Sequence, residues 1–377
     1  MTRPPATLSP HGAGQGSPPL WASRHSPPPS PRAGSVDETG SRTQNAAMAA
    51  SILTSADRAT LTAPNLPTLT ARILCTDLAG LRSQALGLAE AAGFATDCRT
   101  IVPKTPWNYL SPMLWPDARC AVAPAALAPP DGNLLIGAGG AAARLIAALR
   151  RPDLPGVIIQ HPRMDLDRFD VVLAAKHDDI TGPNVIVTRT ALHRVNEAVL
   201  AEARARWAPV FAALPRPLVA VLIGGSNGRY RLDTAAARDL AAGLAAMMDA
   251  DRVGLMLTPS RRTDAAARAA LHEALAPRGV YLWDMTGENP YFGMLALADA
   301  IVVTADSVSM VSEAVATAAP VMLARLPGKS SRIGAFMNDM IACGRARDFA
   351  GRLAIWPTAP LNDTPMAAQS LRRLLGI

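Results

Sequence analysis

Short, nearly uninterrupted hydrophobic runs, alternating with Ala- and Leu-rich segments of helical period, constrain this chain more than any other feature. A strand with one wet face alternates apolar and polar residues. A strand buried on both faces reads as a continuous apolar run, and such strands belong to parallel sheets covered by helices on each side. From Ala71 onward these runs come in two series. The first places strands near Arg72–Cys75, Ala95–Val102, Asn133–Ile136, Gly156–Ile159, Asp170–Ala174 and Asn184–Val187, with helices at Leu81–Ala92, Ala141–Leu149 and Leu192–Trp207. The second, after a Pro-bounded stretch from Pro209 to Pro217, places strands at Leu218–Ile223, Val253–Leu257, Val280–Trp283, Ala300–Val303 and Pro320–Leu323. Its helices are expected at Thr234–Met248, Asp264–Ala276, Tyr291–Leu297 and Ser309–Ala318. Two successive βα series of similar length predict an α/β chain of two Rossmann-like domains facing each other across a cleft. The expected boundaries are 69–208 for an N-terminal, acceptor-side domain and 217–345 for a C-terminal, nucleotide-binding domain, followed by a segment 346–377.

Residues 1–68 have a different texture. Nine of the 33 prolines fall in the first 31 residues among Ser, Gly and Ala, a composition expected to give a disordered tail. It has no charged start followed by an apolar stretch, so it does not read as a secretory signal, and Met48 is an alternative start. No apolar run reaches the roughly 18 residues of a membrane helix. The expected location is the cytoplasm, with peripheral attachment to an inner membrane left open. The formal charge of +7 invites a nucleic-acid reading. Against it, only three of the 37 basic residues are lysines, no dense basic run occurs, and aromatics are 4%, too few for a base-stacking platform. No nucleic-acid partner is expected. Cys75, Cys98, Cys120 and Cys343 form no CxxC pair, so neither a zinc site nor a disulfide framework is expected.

In parallel α/β folds ligands bind beyond the carboxyl ends of strands, so the loops after strands are the candidate sites. Gly224-Gly225-Ser226-Asn227-Gly228 follows the first strand of the second series. Its glycines permit close backbone approach, and successive amides can cradle an anion. The letters also satisfy GxSxG, the nucleophile elbow of serine hydrolases, but the only downstream histidine, His272, lies within a helix. Ser260, Arg261, Arg262 and Thr263 stand at a helix start, where two cations and orphan amides suit phosphate or carboxylate. Asn289 and Tyr291 begin another short helix and could present an aromatic face to a base.

The sharpest run is Thr304-Ala305-Asp306-Ser307-Val308-Ser309-Met310-Val311-Ser312-Glu313. Asp306 or Ser307 would cap a helix, while Ser309 and Glu313, four apart, share one face. Hydroxyls and amides at the mouth suit a diphosphate, and a carboxylate one turn deeper suits a ribose diol. In the first domain Asp77, His161, His177 and Asp178 fall at strand ends as candidate general bases. Asp165-Leu166-Asp167 resembles a metal-binding DxD but is read as a chance triplet. No cluster has metal spacing, and no metal or cofactor is expected.

These residues resemble the mitochondrial fission Elm-type family, which has many bacterial members. The match runs from about Ile73 to Leu326 through Gln84–Ala89, Gly182–Val185, Ser260–Thr263, Asn289–Tyr291 and, most specifically, Val303 to Ala314. Bacterial members are sometimes described as nucleoside-diphosphate-sugar epimerases, but no Tyr-x-x-x-Lys or N-terminal GxxGxxG is present. More distantly, Ser307 to Glu313 is similar to the donor-site helix of GT-B glycosyltransferases such as MurG. That resemblance implies a nucleotide-diphosphate sugar, and the loop residues expected to hold it are Gly224, Gly225, Ser226, Asn227, Ser260, Arg261, Arg262, Asn289, Tyr291, Asp306, Ser307, Ser309, Met310 and Glu313. Ser307 and Ser309 would meet phosphate and Glu313 the ribose. The implied activity is metal-independent glycosyl transfer, with Asp77, His177 or Asp178 as catalytic groups and a membrane-associated acceptor allowed. MurG-like enzymes carry a histidine in the first glycine loop, where Leu81 follows Gly80 here. The alternatives are a non-catalytic scaffold of the Elm type, since plant members recruit a dynamin-like fission factor, and a serine hydrolase at Gly224–Gly228.

Overall fold

The computed structural model describes residues 69–127 and 132–377; the expectations for residues 1–68 lie outside the described residues. The first series forms β1 (Thr70–Cys75), α1 (Ala79–Ala91), β2 (Ala95–Thr100), α2 (Ala118–Ala121), β3 (Leu134–Ala138), α3 (Gly140–Leu149), β4 (Gly156–Ile159), β5 (Val171–Ala175) and β6 (Val185–Thr188). The second begins with α4 (Glu197–Phe211), β7 (Leu218–Ile223), α5 (Thr234–Asp251), β8 (Gly254–Pro259), α6 (Ala265–Leu275) and β9 (Tyr281–Leu282). It continues through α7 (Tyr291–Leu297), β10 (Ala300–Thr304), α8 (Val308–Val315), β11 (Val321–Ala324), α9 (Ser331–Ala342), β12 (Ala346–Asp348) and α10 (Thr364–Leu375).

Two six-stranded sheets result, ordered β2-β1-β3-β4-β5-β6 and β12-β11-β10-β7-β8-β9. Every strand pairing within them is parallel. The second has the Rossmann order, with its topological switch between β7 and β10. The apolar runs are explained by burial on both faces. Along β7, Leu218, Ala220 and Leu222 enter one core with residues of α8 and α9. Val219, Val221 and Ile223 enter another with residues of α5 and α6. The N-terminal sheet is likewise covered on both sides.

Differences from expectation have local causes. β2 stops at Thr100 and is largely exposed, because it is an edge strand. α4 starts at Glu197 rather than Leu192, because the Asn196 side chain accepts from the Val199 amide at 2.9 Å and caps it there. α8 ends at Val315, earlier than the expected Ala318; the Thr317 hydroxyl donates to the Ala314 carbonyl at 2.8 Å. The sequence expectation contained none of α2, α9, β12 and α10.

The chain crosses between sheets twice. After β6 it runs through residues 189–196 into α4, where Trp207 and Phe211 pack on the C-terminal core. After β12 it returns, and Ala367, Ala368 and Leu371 of α10 join the N-terminal core. The crossings are tied together: the Asp363 carboxylate accepts from the amides of Arg189 at 2.5 Å and Thr190 at 3.2 Å. Gly87 is required here, since a Cβ would lie 2.2 Å from the His193 carbonyl oxygen.

Candidate functional site

The loops after β7, β8 and β10 meet at the switch point and are knotted together by Asp306. Its side chain is fully enclosed and accepts from the Gly225 amide at 3.1 Å and the Thr304 hydroxyl at 2.7 Å, and pairs with the Arg262 guanidinium at 2.8 Å. Asn227 donates to the Asp306 carbonyl at 3.2 Å. Ser260 donates to the Gly224 carbonyl at 2.8 Å, as does Thr263, and Arg262 donates to the Gly225 carbonyl at 3.1 Å. Only glycine fits at 224, because a Cβ would stand 2.3 Å from an Asp306 carboxylate oxygen. Gly224, Gly225, Asn227, Ser260, Arg262 and Asp306 therefore bond one another, and Asp306 does not cap α8. Ser307 does, its hydroxyl accepting from the Met310 amide at 3.4 Å. Met310 itself packs on the C-terminal core.

Ser226 is not on a nucleophile elbow. α5 begins only at Thr234, and the Ser226 hydroxyl accepts from the Leu232 amide at 3.1 Å. His272 lies exposed on α6.

Glu313, one turn into α8, is buried where the two lobes meet. One carboxylate oxygen accepts from the Ser83 hydroxyl of α1 at 3.1 Å, the other from the Tyr291 hydroxyl of α7 at 2.5 Å. Burial pushes the Glu313 carboxyl up in pKa, although both hydroxyls favour its charged form. Tyr291 is raised well above the ordinary phenol by burial and by the adjacent carboxylate. Asn289 holds the start of α7, its side-chain oxygen accepting from the Tyr291 amide at 3.0 Å. Beside this group, a Cβ on Gly80 would reach the Ser309 hydroxyl at 3.0 Å, and Ser312 accepts from the Ala191 amide at 3.0 Å. Ser83, Gly80 and Ser312 lie outside the expected site. The signal for Ser83 was its neighbour Gln84 on the same short stretch, but nothing local says which residue will face another domain.

The three catalytic candidates do not gather at one point. Asp77 is exposed and meets Arg261 of the opposite lobe at 3.3 Å. His177 and Asp178 lie in the turn after β5 and face α9. The His177 ring stands edge-on to Phe336, centroids 6.4 Å apart, and the Asp178 carboxylate, almost fully enclosed, pairs with Arg332 at 2.5 Å. Burial, and then the Arg332 charge, hold the His177 pKa below its ordinary value. Lys176 adds a further bridge to Asp339 of α9 at 3.3 Å. His161 accepts from the Arg163 amide in its own loop at 3.0 Å. Among the described residues no three His, Cys, Asp or Glu side chains gather as metal ligands, and no helix is long and apolar enough to cross a membrane.

Residues 79–375 match the mitochondrial fission ELM1 family. The chain belongs to that family. It is 35% identical over 278 residues to the mitochondrial fission protein ELM1 of Arabidopsis thaliana, covering 65% of this chain and 64% of that protein. An uncharacterized protein of Rickettsia prowazekii, RP120, is 27% identical over 169 residues, 43% of this chain and 48% of that one. The chain thus matches less than two thirds of the length of each relative. In fold, it is similar to the UDP-GlcNAc 2-epimerase of Methanocaldococcus jannaschii, with a TM-score of 0.50 at 10% identity over 82% of this chain and 100% of that one. MurG of Acinetobacter baumannii lies further off, with a TM-score of 0.41 at 15% identity over 82% and 90%. The ELM1-family chain described here has the two-domain GT-B architecture.

Proposed function

We propose that this protein binds a nucleoside-diphosphate sugar between its lobes and transfers the sugar to an acceptor hydroxyl. The observation that carries the proposal is Glu313: a buried carboxylate at a Rossmann switch point, each of its oxygens accepting one O–H. A ribose diol offers the same pair of donors, so the nucleotide would replace the Ser83 hydroxyl as the lobes part. One turn above, the amides of Val308 and Ser309 have no partner within α8, and with the Ser309 hydroxyl and Arg261 they suit a diphosphate. That the M. jannaschii neighbour was solved with UDP-GlcNAc and UDP is consistent with this ligand class.

In the transfer step the acceptor oxygen bonds to the anomeric carbon and its proton passes to a protein base. The bond from that carbon to the diphosphate oxygen breaks, leaving its electron pair on the nucleoside diphosphate, whose charge the helix amides and Arg261 meet. Among the three catalytic candidates His177 suits the base, being kept neutral near pH 7, whereas Asp77 and Asp178 are engaged by arginines. A membrane-presented acceptor fits the apolar residues exposed on the N-terminal lobe, Tyr109, Leu110 and Leu114. Co-sedimentation with anionic vesicles that Leu114→Glu leaves unchanged would remove that element.

The binding test is thermal stability with UDP-, GDP-, ADP- and CMP-linked sugars. At 100 times the dissociation constant the gain is about 2.7 kcal/mol, several degrees in Tm. No shift with any of them, or a shift that Glu313→Gln leaves intact, defeats the proposal.

A second reading, a non-catalytic scaffold on the same fold, is favoured by one observation. Two of the three candidate bases are held by arginines of the opposite lobe, as they would be in a closed, rigid body. A Glu313→Ala variant that loses nucleotide binding but complements a fission or growth defect in full would select this reading over catalysis.

A further inference from the structure

Arg345 precedes the edge strand β12 and is 6% exposed. One guanidinium nitrogen, Nη2, donates to the carbonyls of Val315 at 2.9 Å, Thr317 at 3.0 Å and Ala319 at 3.4 Å, which closes off the carboxyl end of α8. That accounts for one nitrogen. Nε and Nη1 are buried and find no partner among the described residues. Buried donors are rarely left unpaired, and a guanidinium cannot shed its charge to escape the cost. No acid offsets it: none of the ion pairs among the described residues includes Arg345, and burial pushes its pKa down.

Arg345 lines a cavity of about 610 Å³ together with Arg347, Trp356, Thr358 and Cys343. Among the described residues Arg347 also has no acid partner, and its guanidinium lies over the Trp356 ring, 4.3 Å from the centroid. The Trp356 indole donates to the Gly344 carbonyl at 3.0 Å, which fixes the ring and with it the cation above. Arg345, whose buried guanidinium keeps spare donors, and Arg347, held by an aromatic face, are thus both lining residues of one cavity, and among the described residues no carboxylate pairs with either. This group stands beyond the carboxyl end of α8, whereas Ser307 caps its amino end and the Glu313 side chain leaves the helix toward Ser83 and Tyr291 at the seam.

We propose that this cavity beside β12 is a phosphate-binding site, in which Arg345 and Arg347 hold a phosphate ion or the phosphate group of a small metabolite. It is independent of nucleotide binding at the seam.

The experiment is hydrogen–deuterium exchange of the full chain with inorganic phosphate, against chloride at matched ionic strength. The expected result is saturable protection of the amides in 343–347 and 356–359. Arg347→Ala, at an exposed position, should weaken the apparent affinity at least tenfold with Tm unchanged. Arg345→Gln should abolish it, although that variant also loses part of the α8 closure. Glu313→Gln should leave it intact. Glycerol 3-phosphate binding more tightly than inorganic phosphate marks a phosphomonoester as the ligand, and equal affinity marks the free ion. The proposal is overturned by no protection at saturating phosphate, by protection that Arg347→Ala retains or Glu313→Gln removes, or by equal protection with succinate.

Discussion

Asp306 and Glu313 stand seven residues apart in one run, both are buried carboxylates, and they do opposite things. Asp306 is answered within its own lobe by an arginine, a backbone amide and a hydroxyl. Its charge is compensated, and the three loops it joins become one rigid unit. Glu313 is answered only by neutral hydroxyls, one of them from the other lobe. Its charge is poorly compensated, so its pKa rises and its bonds depend on how the lobes sit. The lesson is that a buried carboxylate with a cation of its own lobe builds architecture, whereas one with borrowed hydroxyls is available to a ligand.

The largest expected effect tests the architectural half. Asp306→Ala leaves the buried Gly225 amide and Thr304 hydroxyl unanswered, at about 1–3 kcal/mol each, and should cost about 3–5 kcal/mol in urea unfolding. Gly224→Ala, which drives a Cβ into that carboxylate, should cost about 1–3 kcal/mol. Near-neutral values for both would erase the distinction.

The crossing segment supplies the next effect. Burial lowers the His193 pKa from 6.5 to about 4. Between those values the unfolded chain binds a proton that the folded chain does not, so stability should fall by about 3 kcal/mol as pH drops from 6.5 toward 4. His193→Leu should flatten this slope; a parallel wild-type and variant profile would assign the pH dependence elsewhere.

Glu313 should behave with the opposite sign. Its raised pKa means that the folded state holds the proton more tightly, so its contribution to stability declines as pH rises above the ordinary carboxylate value. Glu313→Gln removes the buried charge and should raise the Tm of the unliganded protein at pH 7 while reducing the gain from nucleotide sugars. A lower Tm with ligand response intact would make Glu313 architectural after all.

The smallest effect belongs to the outer bridge. Asp77 and Arg261 are largely exposed, 75% and 54%, and Asp77→Asn should change stability by less than about 0.5 kcal/mol. A larger loss would show that the lobes are locked by surface charge rather than by the Glu313 seam.

Every strand of the two sheets except β12 was legible, most of them because burial on both faces forces continuous apolar runs, and the loops after them follow from parallel topology. The run from Thr304 to Glu313 was recognisable as polar chemistry at a helix start. What could not be read was the division of labour within it, since Asp306 and Ser307 are equally good caps by composition. Only the approach of Gly224 and Arg262, 82 and 44 residues upstream, reserves Asp306 for the loops. The missing elements α9, β12 and α10 show the same limit: the α10 apolar face, Ala367, Ala368 and Leu371, acquires meaning only against a sheet formed some 200 residues earlier.

Local pattern alone thus determined that this chain makes two parallel sheets with polar loops at their carboxyl ends, because periodicity and burial are properties of short segments. Which carboxylate is neutralised, which hydroxyl reaches across, and where a buried arginine is left with spare donors were decided by tertiary contact. Those depend on groups distant in sequence, whose meeting no stretch of residues encodes by itself.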